Sequence, residues 1–177
     1  PKAIDELEPN IRAVIAELID DLESRSECDV AHEFGRIYPV KVFLSIMGLP
    51  HEDLDDFLQW EYALLHSRGD VEKMRWAARG ALDYLRAYIE NVKSTPNDGL
   101  VSKIVHGSIA NEPITDDEII GIVFFLWVGG LDTVAATTAL MFRRLALQPE
   151  LQEQLRANPE LAVDAVEEFL RVQPLVN

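Results

Sequence analysis

Apolar residues recur at helical spacing along most of the chain, with charged residues between them. The first series predicts one amphipathic helix over about residues 2–25 and consists of Leu7, Ile11, Val14, Ile15, Leu18, Ile19 and Leu22. The same pattern predicts further helices over Val30–Met47, Asp53–Leu65, 71–93 and 99–106. Turn-forming residues leave room for at most a small hairpin near residues 106–113. Because no long strand-like alternation occurs, the pattern predicts an all-α fold.

The second half of the sequence is dominated by one long apolar helix. Thr115-Asp116-Asp117-Glu118 is a capping box, which predicts a helix start there and a helix that continues to about Leu147. Pro149 then predicts a short helix, and Asn158-Pro159 predicts the start of a last one that ends near Val172.

The stretch from Ile119 to Phe142 carries a single charged side chain, Asp132, in 24 positions. That length is sufficient to cross a membrane. A carboxylate near the middle of such a span costs about 2.5–3.5 kcal/mol, and no second apolar span supports it. The preferred interpretation is therefore a core helix that other helices surround.

The middle of this helix carries an unusual combination, Gly129-Gly130 followed by Asp132-Thr133. Two mid-helix glycines cost about 1 kcal/mol each relative to alanine, and a buried carboxylate is costly unless it is paired. A Thr hydroxyl bonded to the carbonyl one turn back would bend the helix and open a polar notch. We interpret the notch either as a site that passes protons into an apolar cavity or as a helix-packing notch with a satisfied core Asp.

A second feature, Glu168-Phe169-Leu170-Arg171, places a carboxylate and a guanidinium on one helix face. Without further context, such a pair is typical of a solvated surface ion pair.

Charge and composition exclude several classes of function. The formal net charge is 16 − 31 = −15 with histidine neutral, which excludes a general nucleic-acid binder and argues against anionic membranes. Cys28 is the one cysteine, so an internal disulfide framework or a cysteine-based zinc cluster is excluded and a cytosolic compartment is expected. The histidines show no His-x-x-x-His spacing, so no metal site is predicted; they are His32, His51, His66 and His106.

The order of these motifs resembles the cytochrome P450 family of haem-thiolate monooxygenases. Val128-Gly129-Gly130-Leu131-Asp132-Thr133-Val134 is similar to the oxygen-activation motif of that family's long central helix, and Glu168-Phe169-Leu170-Arg171 to its Glu-x-x-Arg motif. Supporting matches are the segment from Pro39 to Pro50 and Gln148-Pro149-Glu150. The resemblance is greatest to bacterial camphor-hydroxylase-like members. It implies a multi-helix orthogonal array, of which residues 1–177 form a single helical segment, the middle portion of a larger domain.

The resemblance also implies roles for individual residues. Thr133 would donate a hydrogen bond at the oxygen site beside the haem, and Asp132 would connect that site to solvent. Gly129 and Gly130 would allow the haem to come close. The residues implied to contact substrate are Phe125 and Val128 on the central helix, with Leu65 and His66 near the roof of the pocket, while Glu168 and Arg171 would form a structural network.

The iron ligand of the family is a cysteine in a Phe-x-x-Gly-x-x-x-Cys-x-Gly loop, and this pattern does not occur here. Cys28 lies in Ser26-Glu27-Cys28-Asp29, which has none of the glycines of that loop. The resemblance therefore implies that the haem ligand lies outside this chain and that residues 1–177 alone are inactive.

The implied function is a cytoplasmic haem-dependent monooxygenase. It would insert one atom of dioxygen into a small apolar substrate, for example a terpenoid, with electrons from a ferredoxin-type donor and without binding nucleic acid or a membrane. The alternative is a non-enzymatic acidic all-α binding module, in which the glycines and Asp132 only seat a packed helix.

Overall fold

The computed structural model describes residues 5–175, which are mostly helical. The α-helices are α1 (Glu8–Glu23), α2 (Ile37–Met47), α3 (Leu54–His66), α4 (Val71–Ser94), α5 (Leu100–Val105), α6 (Asp116–Leu147), α7 (Pro149–Ala157) and α8 (Ala162–Val172). Short 3₁₀ turns cover His51–Asp53 and Pro159–Leu161. Strands β1 (Ser108–Ile109) and β2 (Glu112–Pro113) form an antiparallel hairpin. The prediction of an all-α fold with a small hairpin is confirmed.

The predicted helix over Val30–Met47 is wrong in one respect, because the structure divides it in two. A π-helical segment covers Ala31–Gly35, and α2 begins only at Ile37. Pro39 has no backbone N–H, so it cannot bond to the carbonyl of residue 35, and a regular ladder through this point is interrupted. The wider π turn is closed by the Arg36 N–H, which donates to the Ala31 carbonyl at 3.0 Å.

Helix α6 starts where the capping box predicts. The Thr115 N–H donates to Glu118 Oε2 at 2.8 Å, and the Glu118 N–H donates to Thr115 Oγ1 at 3.4 Å. The helix then continues for 32 residues, a length of about 48 Å. Within residues 5–175, α6 is long and apolar enough to span a membrane, judged by length and composition alone.

The main core lies between α2, α3, α4 and one side of α6. Trp127 is fully buried at its centre, with Phe57 packed edge-on against it at a ring-centroid distance of 5.9 Å. The other buried α6 residues on this side are Ile119, Ile120, Val123 and Leu131. A smaller cluster holds α1 in place and consists of Val14, Leu18 and Phe34. Within residues 5–175, packing against α2, α3 and α4 covers only one side of α6, so the expected helix surrounded by others is not seen there: Phe125, Phe142 and Leu147 are exposed.

Two backbone segments meet where α2 ends and α5 begins. Gly48 ends α2 in a left-handed conformation with φ of 78°, and the Tyr88 hydroxyl donates to its carbonyl. Gly99 faces it so closely that a Cβ added to Gly99 would lie 2.5 Å from the Gly48 Cα. These contacts fix the end of α2 relative to α4 and to the start of α5.

Candidate functional site

The centre of α6 has the hydroxyl geometry that the sequence predicts. Thr133 Oγ1 donates to the Gly129 carbonyl at 2.8 Å, and Thr137 Oγ1 donates to the Thr133 carbonyl at 2.7 Å. Each bond links a side chain to the backbone one turn back. The hydroxyl bond on which the expected polar notch depends is therefore present, on the exposed side of the helix.

The two glycines leave the backbone of α6 uncovered. Beyond its chain neighbours and the adjacent helix backbone, a Cβ added to Gly129 or Gly130 would meet no described atom within 4 Å. Phe125 lies one turn before Gly129 and is 74% exposed, whereas Val128 is half-buried against the main core. A flat ligand can therefore approach this stretch of backbone closely.

Gly130 also contributes to an apolar groove on the neighbouring side of α6. Its other lining residues include Tyr38, Val42, Ile46, Leu126 and Val134. Gly129 and Gly130 are about 100° apart around the helix axis, so they lie on two adjacent surfaces of α6.

Asp132 contacts a residue that is 66 positions away in the sequence. Its Oδ1 lies 3.0 Å from Nε2 of His66, the last residue of α3, and the Asp132 side chain is 40% exposed. The ring of Tyr62 stacks on His66 at 5.2 Å. Of the two residues predicted for the pocket roof, His66 thus reaches the centre of α6, while Leu65 is half-buried beside it.

Glu61 is a site residue that the sequence analysis missed. Its side chain is only 4% exposed, with Oε1 4.0 Å from His66 Nε2 and Oε2 3.6 Å from Arg36 Nε. Burial raises the pKa of the Glu61 carboxyl, Arg36 opposes this rise, and Asp132 adds to it. The one signal in the sequence is that Glu61 follows the buried Phe57 by four residues, which places an acid on the core face of α3.

Glu168 and Arg171 form the predicted ion pair on α8. Arg171 Nε donates to Glu168 Oε2 at 2.6 Å and its Nη2 to Oε1 at 2.7 Å, a two-bond geometry. These bonds lower the pKa of Glu168. Between them Phe169 is buried, with the Arg144 guanidinium of α6 6.0 Å from its ring centroid. The pair therefore sits on a helix that packs against α6.

The comparison with protein families shows which family the chain belongs to. The family profile described as Cytochrome P450 matches residues 44–175. The chain belongs to the cytochrome P450 family. The alternative of a non-enzymatic binding module is not favoured.

Curated relatives and solved structures agree with this assignment. The chain is 30% identical to the polyketide biosynthesis cytochrome P450 PksS of Bacillus subtilis (strain 168) over 97% of its own length and 42% of the relative's. It is 32% identical to the mycinamicin IV hydroxylase/epoxidase of Micromonospora griseorubida over 97% of its own length and 44% of the relative's. The chain therefore spans less than half the length of these P450s.

Two solved structures show the same fold over this part. The PksS structure superimposes with a TM-score of 0.90 at 30% identity, covering 97% of this chain and 44% of that one. The structure of cytochrome P450 CYP101C1 gives a TM-score of 0.83 at 34% identity, covering 98% of this chain and 43% of that one. The helical array predicted from the resemblance is thereby confirmed.

Membership of the P450 family implies a haem-thiolate cofactor, and the residues of α6 fit such a group. The uncovered backbone at Gly129 and Gly130 can receive a flat macrocycle, and the Thr133 hydroxyl lies one turn from Gly129. Cys28 is exposed and lines a groove with Ala139, nine residues or about 13 Å of helix rise beyond Gly130. Cys28 is thus not the thiolate ligand of a haem placed at the glycines, in agreement with a ligand outside this chain.

Proposed function

We propose that the complete gene product is a cytoplasmic, haem-dependent monooxygenase that inserts one atom of dioxygen into a small apolar substrate. Electrons would come from a ferredoxin-type donor. The observation that carries this proposal is the uncovered backbone of α6 at Gly129 and Gly130, next to the Thr133 hydroxyl and the Asp132 carboxylate. Family membership and the acidic, single-cysteine composition support it.

The residues of α6 divide the work of binding and proton delivery. Gly129 and Gly130 admit the haem, which when bound supplies the electron-transfer and oxygen chemistry. In this structure Thr133 donates its one proton to the Gly129 carbonyl, whereas the resemblance implies donation at the oxygen site. Its oxygen lone pairs are then free to accept a hydrogen bond from a water molecule at the site. Asp132 is partly exposed and can exchange protons with solvent. Together they form a short path for protons from solvent to the haem side of α6.

The substrate class follows from the apolar side chains near this path. Phe125 is strongly exposed and Val128 half-buried, so both can contact an apolar molecule. A terpenoid is the first class to test. The names of the relatives mention polyketide biosynthesis and mycinamicin IV, so a polyketide is the second.

The test is the coupling of electron use to product in Thr133→Ala, with Thr137→Ala as the matched control. Both substitutions remove a hydroxyl bonded to a carbonyl one turn back, at 2.8 and 2.7 Å. We expect Thr133→Ala to consume reductant at a similar rate but to release hydrogen peroxide, with product falling at least about tenfold, a loss typical of a missing proton-transfer group. Thr133→Ser and Thr137→Ala should remain coupled.

Two results would contradict this function. Equal coupling in Thr133→Ala and Thr137→Ala would remove Thr133 from proton delivery. A folded, haem-supplemented preparation whose reduced, carbon-monoxide-bound form lacks a strongly red-shifted Soret band would exclude a thiolate-ligated haem altogether.

A further inference from the structure

Three side chains from two helices converge beside the centre of α6. One donor atom from each of Glu61, His66 and Asp132 lies within 4.8 Å of those from the other two. His66 Nε2 is 3.0 Å from Asp132 Oδ1 and 4.0 Å from Glu61 Oε1. If the donor oxygens of Glu61 and Asp132 are up to 4.8 Å apart, there is a point about 2.0–2.4 Å from both oxygens and from His66 Nε2. This distance is close to the Zn–N and Zn–O bond lengths of about 2.0–2.2 Å.

Glu61 is the observation that distinguishes this cluster from an ordinary surface group. Its side chain is 96% buried, since 4% is exposed; its Oε2 faces Arg36 Nε at 3.6 Å, beyond hydrogen-bond distance, and its Oε1 faces His66 Nε2 at 4.0 Å. A buried carboxylate in this state is costly unless a cation compensates it. Arg36 compensates it only in part, because its Nε remains 3.6 Å away and its Nη2 donates to the Leu58 carbonyl.

The surroundings are those of a metal site with one open position. Arg36 lies on the Oε2 side of Glu61, where it can orient this carboxylate, as groups around metal ligands commonly do. Tyr62 stacks on the His66 ring and fixes its plane. His66 and Asp132 are 43% and 40% exposed, so water can reach the fourth position.

We propose that Glu61, His66 and Asp132 bind a Zn²⁺ ion, with water as the fourth ligand. One imidazole nitrogen and two carboxylate oxygens are a donor set that zinc accepts. A bound ion would occupy the Asp132 carboxylate next to Thr133, so zinc inhibits the monooxygenase; this second part rests on the proposed function.

The binding test uses the complete gene product and zinc chloride in isothermal titration calorimetry. We expect one zinc ion per chain, and at least a 100-fold loss of affinity in Glu61→Gln and in His66→Ala. His32→Ala is the matched control, because His32 also pairs with an aspartate, Asp29, at 2.9 Å, but without a buried third ligand. This variant should bind zinc as the wild type does.

A spectroscopic experiment tests the site without the ligand variants, whose folding could be impaired. Co²⁺ replaces Zn²⁺ and gives visible absorption bands characteristic of four-coordinate geometry, and titration with Zn²⁺ should abolish these bands in the wild type and in His32→Ala. Zinc binding that Glu61→Gln and His66→Ala leave unchanged, or the absence of binding in the micromolar range, would overturn the site.

The inhibition test compares product formation with and without zinc for the wild type and His32→Ala. We expect zinc at saturation to lower product formation in both and to raise peroxide release. Stoichiometric binding without inhibition would support the site and overturn its coupling to Asp132-mediated proton delivery. A coupled enzyme that does not bind zinc would overturn the metal site while leaving the proposed function intact.

Discussion

Replacement of Gly99 by alanine tests the close contact between the end of α2 and the start of α5. Gly99 has φ of −66° and ψ of 158°, which alanine adopts without strain. The substitution therefore changes contacts and not backbone conformation. An added Cβ would lie 2.5 Å from both the Gly48 Cα and the Met47 carbonyl oxygen, which are backbone atoms that no side-chain rotation can move.

The expected cost follows from these distances. Ordinary contact begins at 3.4 Å, so the two segments must separate by at least 3.4 − 2.5 = 0.9 Å. Overpacking of this kind costs about 1–3 kcal/mol. Separation also weakens the bond from the Tyr88 hydroxyl to the Gly48 carbonyl, worth about 0.5–1.5 kcal/mol. Alanine also lowers the conformational entropy of the unfolded chain, which stabilises the folded state by about 0.4–1 kcal/mol. The net expectation is a destabilisation of about 1–3 kcal/mol.

The assay is urea unfolding of the complete gene product, followed by far-ultraviolet circular dichroism. Gly121→Ala is the control, because its added Cβ meets no described atom within 4 Å and lies inside α6. Alanine is favoured there by about 1 kcal/mol. The two substitutions should therefore shift the midpoint in opposite directions. A Gly99→Ala protein as stable as the wild type would refute the steric argument.

Further predictions concern the start of α6 and the buried acid. Thr115→Ala should lower the free energy of unfolding by about 1 kcal/mol, because it removes the helix cap, and Thr115→Ser should restore most of it, as urea unfolding would show. Burial raises the pKa of Glu61 above its ordinary value of 4.5 despite Arg36. The folded state therefore binds the Glu61 carboxyl proton more tightly than the unfolded state does. Protonation of Glu61 stabilises the fold below about pH 4.5, and this contribution is lost as the pH rises through the folded-state pKa. Relative to Glu61→Gln, the wild type should lose stability over that interval; parallel stability curves would contradict it, as would a change in the opposite direction.

The sequence was sufficient for features that depend on neighbouring residues. The capping box fixed the start of α6, and the Thr133 hydroxyl bond to the Gly129 carbonyl spans only four residues. The hairpin, the start of α7 at Pro149 and the 3₁₀ turn at Pro159 that precedes α8 are local in the same sense, since proline and turn residues act on their immediate surroundings.

The partners of Asp132 could not be predicted in this way. His66 and Asp132 are 66 positions apart, and no spacing rule connects the end of one helix with the middle of another. Sequence spacing predicted no metal site because it tests histidines close together in the chain, whereas these ligands meet only after α3 has packed on α6. Glu61 was missed because acids on helices are usually solvated, and only the packing of α3 shows that this one is buried.

The π-helical segment Ala31–Gly35 also determines which changes in chain length the protein tolerates. Removing one residue from it would convert the π turn into an α turn, a local gain in hydrogen-bond geometry, while Pro39 would still interrupt the ladder that follows. The same deletion would turn every earlier residue by about 100° relative to α2. Phe34, now 5.7 Å from the ring of Phe142 on α6, would leave that contact. Insertions and deletions are usually tolerated in loops. A deletion here would instead separate α1 and its cluster from the long helix. The length of the π-helical segment is therefore as restricted as the size of a side chain in the core.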